Sequence, residues 1–187
     1  MNKDTINIHS EILEVLEDKA SFDTKINVAK NPSTPVRLLE LLANTEGETI
    51  RMEVAKNPST SVDILKVLIN DKDHYVKENV CRNPNVPMEL IELLIKNSTS
   101  HNRYDYASDN TYPVKLLELL VNDKDISVRT QLAINSSTSI DILKTLINDK
   151  EKQIQIIALK SLLKHSKTKT EKTLVLLSYP KVSLLYK

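Results

Sequence analysis

The sequence holds one glycine, one cysteine, one phenylalanine and no tryptophan in 187 residues. Tight hairpin turns draw on glycine for positive φ, so a single glycine argues against a sheet protein strung together by such turns and favours helices. One cysteine excludes an internal disulfide and any metal site built from several thiolates. No stretch approaches the length of a membrane span, and Met1-Asn2-Lys3-Asp4 leads into no apolar run of signal-peptide length. A cytoplasmic protein with no membrane partner is the expectation. The formal net charge is only +1, so no global field draws nucleic acid or lipid. Charge is nevertheless uneven: residues 159–187 carry seven Lys against one Glu, a balance of +6, which leaves −5 on residues 1–158.

What the chain has instead is a period. Written in rows of 26, the sequence aligns without a gap. One column reads Ala29, Ala55, Cys81, Ala107, Ala133, and two positions later stand Asn31, Asn57, Asn83, Asp109, Asn135. Two leucine columns run Leu13, Leu39, Leu65, Ile91, Leu117, Leu143 and Leu16, Leu42, Leu68, Leu94, Leu120, Leu146. A repeat of this size signals stacked units, none of which buries its apolar face alone.

Each unit parses into two helices. Thr60 is placed to N-cap the first, with Asp63 completing a capping box, and Thr138 with Asp141 repeats the pattern. Pro35, after Thr34, suits a first helical position. The run Val62, Ile64, Leu65, Val67, Leu68, Ile69 covers most of the helix surface with apolar side chains, as in a helix packed on both sides. The second helix carries Val76, Val80 and Cys81 as a narrow buried stripe. Asn-Pro then ends it, the Asn tolerating a left-handed residue and the Pro unable to continue; this reading makes Asn31, Asn57 and Asn83 stop signals, with no need for a functional amide ladder.

The phrase Val28-Ala29-Lys30-Asn31-Pro32-Ser33-Thr34-Pro35-Val36-Arg37-Leu38-Leu39 resembles the variant leucine-rich repeat of bacterial proteins. Val54–Leu65 and Val80–Leu90 match nearly as well, and Asp125-Ile126-Ser127-Val128-Arg129 is similar to the core of HEAT repeats. The resemblance covers roughly residues 10–158. It implies an all-α, right-handed α-solenoid of two-helix repeats whose concave surface is lined by the second helices and receives a protein partner. Residues 1–28 then form an N-terminal capping unit with a first helix around Ser10–Asp18, residues 29–158 the array, and residues 159–187 basic capping helices covering the last apolar face. After Lys150 the columns decay, with Leu159 in the Ala column and Ser161 in the Asn column. Some variant-repeat proteins hold an iron–sulfur cluster on several Cys, which Cys81 alone cannot provide. HEAT-related DNA glycosylases use a Trp-lined cleft, which this chain lacks.

Four groups of residues invite a functional reading. The basic column Lys25, Arg51, Lys77, Arg103, Arg129 flanks the buried stripe, and Asp73–Lys77 and Asp125–Arg129 stand at i, i+4, so it reads as a structural ion-pair ladder. The outward face of the second helices gathers Tyr75, Glu78, Asn79 and Arg82 with His101, Tyr104 and Asp105. Tyr and Arg are the commonest binding anchors, and this face is the candidate partner site; an ordinary solvated face is the plain alternative. The fourth unit breaks its own columns, with Asn102 in place of Ile50, Val76 and Val128, Tyr106 in place of Val54, Val80 and Leu132, and Asp109-Asn110 for Asn-Pro. Such departures mark function or strain, or simply a larger core residue. Finally, Lys160, Lys164 and Lys167 at i, i+4, i+7, with Lys169 and Lys172, form a basic helix face for nucleic acid or another anionic partner, or the solvated side of a cap. Leu174–Leu177 and Val182–Tyr186 require burial, at the end of the stack or in a dimer contact. No Gly-rich phosphate loop or His-Glu-x-x-His occurs, and His101–Asp105 is the one acid/base pair on the candidate face. The expectation is a non-catalytic binding module, adaptor or inhibitor without cofactor or metal, monomeric or weakly dimeric.

Overall fold

The computed structural model describes residues 19–185; the helix expected around Ser10–Asp18 lies outside them. Every regular element among the described residues is an α-helix, and none is long and apolar enough to cross a membrane. The chain divides at Leu94/Ile95 into two compact units. The first holds α1 (Phe22–Lys30), α2 (Val36–Ala43), α3 (Glu48–Lys56), α4 (Val62–Leu68) and α5 (His74–Arg82), and α6 (Met88–Asn97) crosses the division. The second holds α7 (Ser100–Ser108), α8 (Val114–Leu120), α9 (Ile126–Ile134), α10 (Ile140–Leu146), α11 (Lys152–His165), α12 (Lys169–Ser178) and α13 (Pro180–Leu185).

Within the first unit α1 packs on α3 and α3 on α5; within the second, α7 packs on α9 and α9 on α11. The contact is made by the small-residue column: Ala29, Ala55, Cys81, Ala107 and Ala133 are wholly buried. A side chain no larger than Cys there lets helix backbones approach, and a bulkier one would overpack the seam. The shorter helices lie against this row through Leu39, Leu42, Leu65 and Leu68 in one unit and Leu117, Leu120, Leu143 and Leu146 in the other, all buried.

The shorter helices begin one residue later than the capping pattern predicts. Ser61 and Ser139, not Thr60 and Thr138, are the N-caps, accepting from the amides of Ile64 and Ile142. Pro35 likewise occupies the cap position rather than the first helical one. The threonine is engaged elsewhere: Thr34, Thr60 and Thr138 are buried, and each Oγ1 donates to a carbonyl six residues back, Val28, Val54 and Leu132, at 2.5, 2.5 and 2.6 Å. A hydroxyl turned into the core to close the preceding helix cannot also cap the following one. Thr60→Val is therefore expected to cost about 1 kcal/mol through the lost bond, and Ser61→Ala a similar amount through the lost cap. Urea melts of the two variants check this, and a Thr60→Val protein as stable as the wild type would contradict the assignment.

The apolar wrap of α4 is also incomplete. Ile64, Leu65, Leu68 and Ile69 are buried, while Val62 and Val67 stay exposed, because the helix has neighbours on one side of its surface and solvent on the other. At the far end α11 keeps the repeat's bonding beyond the point where the columns decay. Ser161 donates to the carbonyl of Ala133 at 2.7 Å, as Asn135 does to Ala107, and Gln155 donates to the carbonyl of Asp149. The expected cover over the last apolar face is thin. No residue of α12 is buried, and Leu174 and Leu177 are 59% and 70% exposed; Val182 of α13 is buried.

Candidate functional site

The candidate residues of the first unit lie on α5. Asp73 caps this helix by accepting from the Val76 amide. Tyr75 projects from the first turn and is 62% exposed. Glu78 lies between His74 and Arg82, one turn away on either side: His74 Nε2 stands 3.0 Å from Oε1 and Arg82 Nη1 donates to Oε2 at 3.3 Å. The three form a stripe at i, i+4, i+8 in which Glu78 retains only 13% of its side-chain exposure. His74 is a member that the outward-face reading omits, although its i, i+4 spacing from Glu78 points to it. Asn79 is a correction: it is buried, and its amide donates to the Tyr75 carbonyl at 2.8 Å. The side chain lies against its own helix, and the amide satisfies the backbone instead of a partner.

The remaining candidates lie on α7 in the second unit. His101 and Asp105 approach to 3.6 Å and both are well exposed. Tyr104 is exposed at the same turn. The departures of this helix from the repeat have internal explanations. Asn102 is the third residue of a capping box with Thr99: Thr99 Oγ1 accepts from the Asn102 amide, and the Asn102 side chain accepts from the Thr99 amide. Tyr106 is wholly buried and meets Tyr112 edge-on, ring centroids 5.1 Å apart. Tyr112 stands in the column of Thr34, Thr60 and Thr138. The two tyrosines thus replace, together, a hydroxyl-to-carbonyl contact with an aromatic pair. Packing accounts for this irregularity without a ligand.

The basic column is a ladder, though not with the partners its helix spacing suggests. Arg51, Arg103 and Arg129 are buried, and each forks onto an aspartate twenty residues on: Asp71, Asp123 and Asp149. Nε donates to Oδ2 at 2.6, 2.5 and 2.7 Å, and Nη2 to Oδ1 at 3.1, 3.2 and 3.1 Å. Nη1 turns back to loop carbonyls, Thr45 and Glu46 for Arg51, Ser98 for Arg103 and Asp123 for Arg129. Burial works against ionisation of each aspartate. The arginine hydrogen bond and charge, with a backbone amide two residues on, outweigh it and hold the carboxyl pKa below its usual value. Cations buried and engaged in this way are poorly placed to meet a phosphate. In the sequence, Lys25 and Lys77 stand where the residue twenty positions later is Thr45 or Asn97; Arg occurs where that residue is Asp.

The Asn column corrects a second expectation. Asn31, Asn57, Asn83 and Asn135 all have negative φ, between −59° and −71°, with extended ψ; none is left-handed. A following proline pushes its predecessor to extended geometry, which applies to Asn31, Asn57 and Asn83. The asparagines do stand at the helix ends, and Asn57, Asn83 and Asn135 also form a structural amide ladder. Asn57 Nδ2 donates to the carbonyls of Ala29 and Asn31 at 2.6 and 2.8 Å, Asn83 to Ala55 and Asn57 at 2.7 and 2.9 Å, and Asn135 to Ala107 and Asp109 at 2.8 and 3.4 Å. Each Oδ1 also accepts from the amide two residues on. These side chains join one repeat to the one before it.

At the carboxy end Lys160, Lys164, Lys167, Lys169 and Lys172 are all exposed. They do not share one helix face: α11 stops at His165, and Lys167 lies in the turn before α12. A capping box of Thr168 and Glu171 starts the new helix there. Among the described residues no group of three or more His, Cys, Asp or Glu is placed to hold a metal. Comparison with protein-family models, with curated proteins and with solved structures gives no match, so the resemblance to variant leucine-rich repeats rests on its residues alone.

Proposed function

We propose that this chain is a non-catalytic protein-binding module, a right-handed α-solenoid of 26-residue two-helix repeats that holds a protein partner on the exposed face of its second helices. The observation that carries the reading is Tyr75, exposed beside the pre-ordered His74–Glu78–Arg82 stripe. An aromatic ring with two χ angles, next to polar groups already fixed by one another, loses little entropy when a partner orders it. His101, Tyr104 and Asp105 offer a second cluster of the same chemistry on α7. The role is that of an adaptor or an inhibitor acting by occupancy, in the cytoplasm.

The test is affinity capture from a lysate of the source cells with the wild type and a Tyr75→Ala/Tyr104→Ala variant, half of each sample treated with nuclease. A discrete protein is expected with the wild type, indifferent to nuclease and reduced at least tenfold in the variant, since an aromatic anchor contributes about 2 kcal/mol or more. Recovery that vanishes with nuclease and ignores the tyrosines would assign the function to nucleic acid at the Lys-rich end, with the steep salt dependence that phosphate contacts bring.

A further inference from the structure

The carboxy end of the second unit presents a largely apolar crevice of about 380 Å³ between α10, α11 and α12, lined by Ile140, Leu162, Leu174, Val175 and Tyr179 together with the charged Lys144 and Glu171. Leu177, one turn on from Leu174 in α12, and Leu184 of α13 are each 70% exposed. The repeat explains why the crevice is open. Leu143 and Leu146 of α10 fill the two leucine columns and are buried. Twenty-six residues on, the same columns hold Lys169 and Lys172, both exposed. Thus α12 brings no leucine where the next unit would have brought two, and the apolar end of the stack stays in water beside a run of lysines.

An occupant must supply two apolar side chains at the repeat's own spacing and carry negative charge around them. The sequence contains such a segment. Ser10-Glu11-Ile12-Leu13-Glu14-Val15-Leu16-Glu17-Asp18 places Leu13 and Leu16 in the very columns that lapse at Lys169 and Lys172. Residues 1–18 carry five acidic residues against one Lys, and residues 159–187 carry +6. We infer that residues 10–18 of one copy dock in the carboxy-terminal crevice of a second copy, so that the protein associates head to tail and the array continues from one chain into the next. Head and tail are different surfaces, so the contact is heterologous and leaves a free head and a free tail after every addition. The site is separate from the second-helix face and does not depend on it.

Sedimentation velocity over a concentration series tests this. The wild type is expected to run from monomer at about 1 μM to dimers and larger species at about 200 μM, and to return to monomer at about 0.5 M salt, where the Debye length shrinks to a few ångströms. Leu174→Glu/Leu177→Glu blocks the tail at exposed positions without touching the core, and Glu14→Lys/Glu17→Lys blocks the head. Each variant alone is expected to stay monomeric, with unchanged circular dichroism, while a one-to-one mixture forms a dimer and nothing larger, because it has one intact head and one intact tail. A wild type that is monomeric throughout, a closed dimer that survives the tail substitutions, or a mixture that does not pair would each overturn the inference.

Discussion

Arg129→Ala is expected to lower stability by about 3–5 kcal/mol, the range seen when one partner of a buried ion pair is removed. The substitution leaves the Asp149 carboxylate buried with the Glu151 amide at 2.9 Å in place of the guanidinium fork, and strips the Asp123 carbonyl of the donor at 2.7 Å. Two controls separate charge from shape. Arg129→Lys keeps the charge but loses the two-pronged fork, and is expected to recover only part of the deficit. Arg129→Met/Asp149→Leu removes both charges and is expected to lie much closer to the wild type than Arg129→Ala does, because no buried charge is stranded. The pH dependence has opposite signs in the two proteins. In the wild type the Asp149 pKa is depressed; a depressed carboxyl contributes stability that is present above its unfolded pKa, about 3.9, and lost as pH falls through the folded value. In Arg129→Ala burial is expected to outweigh what remains, the Glu151 amide and the Lys150 charge, and to raise the carboxyl pKa, so that stability is lost as pH rises through it. The difference between wild type and variant therefore narrows between pH 7 and pH 4, and urea melts at the two values measure it. A gap that widens toward pH 4 would mean that Asp149 stays solvated when its arginine is gone.

The same ladder marks what the residues disclose by themselves. The columns are legible, and so are the helices they produce, because a buried Leu or Ala recurs wherever a backbone must approach another. The structural character of the basic column follows from its position beside Val54 and Ala55. Its partners do not follow, because the helical i, i+4 rule looks only along one helix, and the fork reaches into the following loop. The clue lies in the pairing of Arg with Asp, and of Lys with Thr or Asn, twenty positions apart. Asn79 eludes the reading for a related reason: a polar residue on a nominally outward position is assigned to a partner or to water, whereas its amide has a backbone carbonyl four residues back to satisfy. The exposure of Leu174 and Leu177 disagrees with burial at the end of the stack and leaves the other expectation, a contact with a second copy. What turns the column pattern into a statement about the tail is the position of Lys169 and Lys172 in columns that are leucine elsewhere.

The amide ladder gives the sharpest single-atom prediction. Asn83→Asp replaces a donor by an oxygen of the same size at a site that is 2% exposed. In the wild type Nδ2 donates to the carbonyls of Ala55 and Asn57; a carboxylate oxygen there would face two acceptors at hydrogen-bond distance. Two carbonyls lose their donor, and a negative charge is buried against the negative ends of two dipoles. A loss of at least about 3 kcal/mol is expected at pH 7, since each unsatisfied buried group costs about 1–3 kcal/mol and the charge adds to it. Asn83→Ala loses the same two donor bonds without introducing the charge, so it is expected to be the milder substitution at neutral pH. The order reverses in acid. Once protonated, the carboxyl of the Asn83→Asp variant regains one O–H donor for one of the two carbonyls. Burial against those carbonyls raises its folded pKa above the unfolded value of about 3.9, so its stabilising contribution is present at low pH and lost as pH rises. Denaturant melts of both variants at pH 7 and pH 4 decide the matter. If Asn83→Asp remains below Asn83→Ala at both values with no change in their difference, the amide is not donating to the preceding repeat. If the two cross, the hydrogens on Nδ2 are what tie Asn83 to the preceding segment, and Asn57 and Asn135, which make the same bonds, are asparagine because only the amide can give as well as take; Asp109 is the one member of the column without that donor.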